Sequence, residues 1–86
     1  MIRFTAHAEA MLRERGIERA WVERVLTSPE WHEPDPNDPA LKRAFGAISE
    51  AGGKILRVVY TASDTENRIV TVFFDARAKR PEGSRT

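Results

Sequence analysis

The chain has 86 residues, 41% of them apolar and 31% charged, with 14 basic and 13 acidic side chains and a formal net charge of +1. A chain of this size and balance builds one domain on one modest core and is not disordered throughout. The absence of cysteine excludes disulfides and thiolate metal sites, and no apolar run reaches membrane-spanning length. With no signal-peptide apolar region near the start, a cytoplasmic protein without membrane association is expected.

Thr5 is a good N-cap for a first helix over residues 6–15, and Gly16 a good left-handed stop. On a helical wheel Ala8, Met11, Leu12 and Arg15 follow one stripe, so Arg15 is expected to extend the core-facing line while Arg13 points away. Residues 17–27 read as a second helix with the stripe Trp21, Val22, Val25 and Leu26, ended by Ser28-Pro29. So short a connection predicts an αα-hairpin.

Residues 31–39 hold three prolines among acidic and amide side chains, which predicts a loop with a short edge strand at Trp31-His32-Glu33. A strand over 41–49, a turn at Ala51-Gly52-Gly53, and two strands over 54–61 and 68–76 joined by a polar loop follow. Strict alternation sets Leu56, Val58, Tyr60, Val70, Val72 and Phe74 on a helix-covered face. The other face then carries Ile55, Arg57, Val59 and Thr61 with Ile69, Thr71, Phe73, Asp75 and Arg77, and Arg57 falls opposite Thr71 or Phe73. Helices first and strands afterwards predict an α+β domain, with both helices on one face of a three- to four-stranded antiparallel sheet. The domain is expected over residues 1–77, followed by a basic, flexible tail over 78–86.

No phosphate-binding glycine loop, nucleophile elbow or metal-ligand spacing is present, so neither a cofactor nor a metal is expected. The candidate chemistry rests on His7 at a helix start, Arg57, Thr71 and Arg77 on the polar sheet face, and Arg15. A phosphodiester cleft needs cations and a group that moves protons near neutral pH, and RNA brings its own nucleophile, the 2′-hydroxyl. Each residue also has a plainer reading. His7 can be a hydrogen-bonded helix-start residue, Arg57 a salt-bridge partner of Asp75, and Arg15 a snorkelling side chain or a partner of Glu18 or Glu33.

The segments Phe4-Thr5-x-His7-Ala8, Arg15-Gly16-Ile17, Val22-x-x-Val25-Leu26-x-x-Pro29, Leu56-Arg57-Val58-Val59-Tyr60 and Ile69-Val70-Thr71-Val72, with the late Arg77, resemble the small bacterial family called domain of unknown function 4258. That family is grouped with RelE/ParE-like toxins, and residues 29–77 also resemble BrnT-like toxins. The resemblance implies two helices on a curved antiparallel sheet and a toxin–antitoxin role: a protein that binds RNA, in some settings on the ribosome, and is neutralised by a small antitoxin protein. If it is an enzyme, the reaction implied is that of a metal-independent endoribonuclease of the mRNA interferase type. The implied positions are His7, Arg57 and Arg77 as catalytic residues and Arg15 and Thr71 as substrate-binding residues. Glu18, where the family has a Ser or Asp cap, and Ala10-Met11, where it often has arginine, depart from the pattern. The contrary expectation is a non-catalytic protein-interaction module of the same fold.

Overall fold

The structure is a computed structural model and describes residues 1–81. Its elements are β1 (Ile2–Phe4), α1 (Ala6–Arg15), α2 (Arg19–Thr27), β2 (Trp31–Pro34), β3 (Lys42–Ile48), a 3₁₀ turn (Ser49–Ala51), β4 (Lys54–Ala62) and β5 (Asn67–Phe74). The strands form one five-stranded sheet in the order β1-β5-β4-β3-β2. Neighbours are antiparallel except β1 and β5, which run parallel. The architecture is α+β as expected, but the sheet is mixed and five-stranded rather than antiparallel with three or four strands. The additional strand has only three residues, too few for alternation to declare it.

Both helix ends follow from local chemistry. Thr5 Oγ1 accepts from the Ala8 N–H at 3.1 Å, and Gly16, at φ 64°, closes α1 in the left-handed region. The turn at Gly16 brings the Ile17 N–H to the Leu12 carbonyl at 3.0 Å. Ile17 is therefore the residue buried beyond Leu12, and Arg15 is exposed rather than core-facing. The stripe expected on the wheel ends one turn early because the chain reverses there. Glu18, the weak cap of α2, makes no side-chain capping bond.

The core between helices and sheet contains Ala8, Leu12, Ile17, Trp21, Val22 and Val25 from the helical half, packed on Ala44, Ile48, Leu56, Val58, Ile69 and Val72. Among the described residues no polar or charged residue is buried. Strict alternation fails at one place. Val59 faces Thr71 and Tyr60 faces Ile69, so Val70 is an extra residue, a β-bulge on β5. The bulge turns Ile69 into the core and leaves Val70 half-buried, the reverse of the expected faces.

Helix α2 lies unusually close to β3 at Gly46, where a Cβ would meet Val25 Cγ2 at 3.1 Å. Gly46→Ala is expected to cost about 1–3 kcal/mol by overpacking, read as a lower urea midpoint, and adding Val25→Ala should recover part of that loss. The same helix is tied to the 3₁₀ turn by Arg24, whose two terminal nitrogens donate to Glu50 at 2.9 and 2.8 Å. The guanidinium holds the Glu50 carboxyl at about 2, below its usual 4.5. A depressed carboxyl stabilises the folded chain above its unfolded value and loses that contribution as pH falls through the folded one. Stability should therefore decline between pH 4.5 and about 2, and Glu50→Gln should flatten that part of the profile in urea titrations.

Candidate functional site

The sheet face away from the helices is organised in cross-strand rows. Trp31 pairs with Phe45, Phe45 with Arg57, and Arg57 with Phe73, so four residues on β2 to β5 stand side by side. The Trp31 and Phe45 rings stack at 4.7 Å with 6° between their planes. The Arg57 guanidinium lies 4.8 Å from the Phe73 centroid and 5.5 Å from that of Phe45. Cations over aromatic faces gain electrostatic energy. The adjoining row is Glu33, Arg43, Val59 and Thr71.

Arg57 is opposite Phe73 and forms an ion pair with Asp75, so the salt-bridge reading of this arginine holds. Asp75 does more than neutralise it. Its Oδ1 accepts the Arg77 N–H at 3.0 Å and its carbonyl accepts the Ala78 N–H at 3.2 Å, which bends the chain after β5. The bend carries residues 77–80 back across the row. Arg80 donates to Glu30 at 3.1 Å and lies 5.9 Å from the Trp31 ring, leaving Trp31 only 8% exposed. The part of the basic tail beyond Pro81, with Arg85, lies outside the described residues. Between strands and returning chain is a cleft of about 260 Å³ lined by Trp31, Glu33, Phe45, Arg57, Asp75 and Arg77, with Ala78 and Lys79. Trp31 Nε1 and Arg57 Nε are buried with no hydrogen-bond partner among the described residues. Arg43 Nε sits 3.4 Å from Asp35 Oδ2, an ion-pair contact aligned too poorly for a hydrogen bond.

His7 arrives from the β5 edge. Its Nε2 is 3.2 Å from Thr71 Oγ1, so these two residues, 64 apart in sequence, meet on the margin of the same face. Either the Thr71 hydroxyl donates to a bare Nε2 or a protonated Nε2 donates to the hydroxyl, depending on the ring's tautomer. The five expected site residues therefore fall in three places: Arg57 and Arg77 line the cleft, His7 and Thr71 meet one row away, and Arg15 stands apart at the end of α1. Arg15 has no ion-pair partner among the described residues; of its two expected partners, Glu33 is engaged by Arg43. His32, on β2, is exposed and takes no part in these contacts. No group of three His, Cys, Asp or Glu side chains could hold a metal among the described residues.

The stacked Trp31–Phe45 pair and its Arg80–Glu30 latch escape sequence reasoning, because they require the register of β2 on β3 and the path of the chain after β5. The signal available was the Arg43-x-Phe45 alternation on β3, which puts a cation and a ring on one face.

The chain belongs to the family described as Domain of unknown function (DUF4258), which it matches over residues 4–74. That span includes His7, Arg15, Arg57 and Thr71, whereas Arg77 and the chain that crosses the aromatic row lie beyond it. No curated protein and no solved structure matches the chain significantly. No helix among the described residues is long and apolar enough to cross a membrane.

Removing one partner of the half-buried Arg57–Asp75 pair leaves a charge between two rings without its counterion. Asp75→Asn is expected to cost about 1–3 kcal/mol. In a double-mutant cycle with Arg57→Met the two losses should fall short of additivity, measured by chemical denaturation.

Proposed function

We propose that this domain is a toxin-like, RelE/ParE-related protein that binds single-stranded RNA across the open face of its sheet. The observation that carries this reading is the aromatic–arginine row beside the His7–Thr71 contact. Bases can stack on Phe73, while Arg77 and Lys79 in the adjoining cleft suit phosphate oxygens. Sequence preference would then come from stacking rather than from base-edge hydrogen bonds.

His7 supplies the chemistry for cleavage. With Nε2 unprotonated, it takes the proton of a 2′-hydroxyl brought beside Thr71, and the 2′-oxygen attacks the adjacent phosphorus. The bond to the 5′-oxygen breaks, leaving a 2′,3′-cyclic phosphate; the leaving 5′-oxygen takes a proton from water, and His7 returns its proton to the hydroxide so formed. Arg57 and Arg77 face the charge that develops on the phosphoryl oxygens. The partners of this reading are RNA, with the ribosome as one setting, and a small antitoxin protein.

One observation favours the second reading, a protein-interaction module without catalysis: Arg57 already has Asp75 as its counterion. The two are separated by measuring RNA affinity of the full chain by anisotropy across a salt series, with inducible expression in bacteria. For the RNA reading, Arg77→Gln should lower the slope of log affinity against log salt by about 0.7, the value for one lost phosphate contact on a single strand. His7→Ala should abolish both cleavage and RNA-dependent growth arrest. Growth arrest with intact RNA and no RNA affinity would establish the protein-interaction module instead.

A further inference from the structure

Among the described residues six arginines have a carboxylate partner: Arg3 with Glu66, Arg19 with Glu9, Arg24 with Glu50, Arg43 with Glu33 and Asp35, Arg57 with Asp75, and Arg80 with Glu30. Arg3 and Arg68 stand apart by their placement. They are register partners across the parallel β1–β5 pair, so two cations stand side by side on neighbouring strands. Like charges placed this way destabilise a sheet. The compensation within the chain is slight. Arg3, its side chain 71% exposed, meets Glu66 Oε2 at 3.7 Å, a contact of the kind that contributes little. Arg68 is exposed and has no ion-pair partner among the described residues.

Both arginines belong to the open face. Their neighbours Ile2, Phe4 and Ile69 pack against or within the core, so alternation turns Arg3 and Arg68 the other way. The bulge at Val70 is what places Arg68 there, since unbroken alternation from Val72 would send it inward. The two side chains line a cleft of about 400 Å³ with Phe4, Thr5 and Ala6, next in sequence to His7. Along β5 the open-face residues run Arg68, Thr71, Phe73. At about 3.4 Å per residue, Arg68 lies roughly 10 Å to one side of Thr71 and Phe73 roughly 7 Å to the other.

We propose that Arg3 and Arg68 form a phosphate-binding subsite that holds the RNA backbone on the opposite side of the His7–Thr71 contact from Arg57 and Arg77. The inference rests on the RNA reading of this face and adds a second point of attachment, so that the phosphodiester beside His7 is held from both directions. A phosphate between two guanidinium groups turns their repulsion into two charge-assisted contacts. The ligand group is the phosphodiester monoanion, and its binding needs no base recognition.

The test uses the full chain and two probes, inorganic phosphate and hexauridylate. In titrations followed by NMR, phosphate should shift the signals of Arg3, Thr5 and Arg68 saturably, and the Arg3→Gln, Arg68→Gln double variant should lose those shifts. For hexauridylate, the double variant should lower the salt slope by about 1.4, the value for two lost contacts, while Arg13→Gln on the outer side of α1 leaves it unaltered. Because the double variant removes a like-charge pair, its thermal midpoint should equal or exceed that of the wild type, which separates lost binding from lost fold. No localised phosphate shift, or an unaltered RNA slope in the double variant, overturns the subsite. Phosphate shifts at the pair with no RNA binding by the wild type would support the subsite and overturn the RNA reading.

Discussion

The hydroxyl of Thr5 ties together three parts of this molecule that sequence keeps far apart. It accepts the Ala8 N–H and so starts α1, and it donates to the Val70 carbonyl, 65 residues away, at 3.1 Å. The Thr5 backbone N–H adds a bond of 3.0 Å to the Ile69 carbonyl. One residue thus caps a helix, ends the parallel pairing of β1 with β5, and holds the helix start beside the bulged residue. A buried or half-buried hydroxyl that both donates and accepts carries no unsatisfied cost. The position of His7 follows directly: two residues into a helix pinned at Val70, it has Thr71 within reach.

The bulge at Val70 has consequences on both faces of the sheet. It delivers Ile69 to the core, where it is fully buried, and sends Arg68 outward. A β-bulge costs ladder regularity, and here the extra residue is the one whose carbonyl Thr5 engages. The irregularity is therefore stabilised from outside the sheet. Without it, unbroken alternation from Val72 would both bury Arg68 and expose Ile69.

Much of the fold was legible because its signals are local. The cap at Thr5, the stop at Gly16, the α2 stripe and the β-branched runs of β4 and β5 all act within a few residues, and the observed helix α1 and strand cores follow them. Illegible features were those set by register. A three-residue β1 has no measurable period, and the bulge depends on a hydroxyl 65 residues away. The wheel placed Arg15 inward because it assumed that the helix continues along the core, whereas Ile17 takes that position after the turn. At the candidate site, strand position alone suggested the Arg57–Asp75 pair, since both lie on one face. The His7–Thr71 contact and the Arg3–Arg68 juxtaposition were hidden, because each needs β5 placed against the N-terminal segment.

The charges of the open face form a sequence of dependencies rather than a simple basic patch. A net charge of +1 spread evenly would give little attraction for a polyanion. Here the acids are spent in particular places: Glu33 and Asp35 on Arg43, Asp75 on Arg57, and Glu30 on Arg80. Asp75 also bends the chain, so the same carboxylate that neutralises Arg57 brings Arg77 and Lys79 to the cleft. The acid consequently sets where cations are available instead of merely reducing their number. Arg57 meets an anion only in competition with Asp75, and among the described residues the cations of this face with no close carboxylate are Arg77 and Lys79 at one end and Arg3 and Arg68 at the other. Between them stands His7, the one histidine whose ring touches a residue of that face.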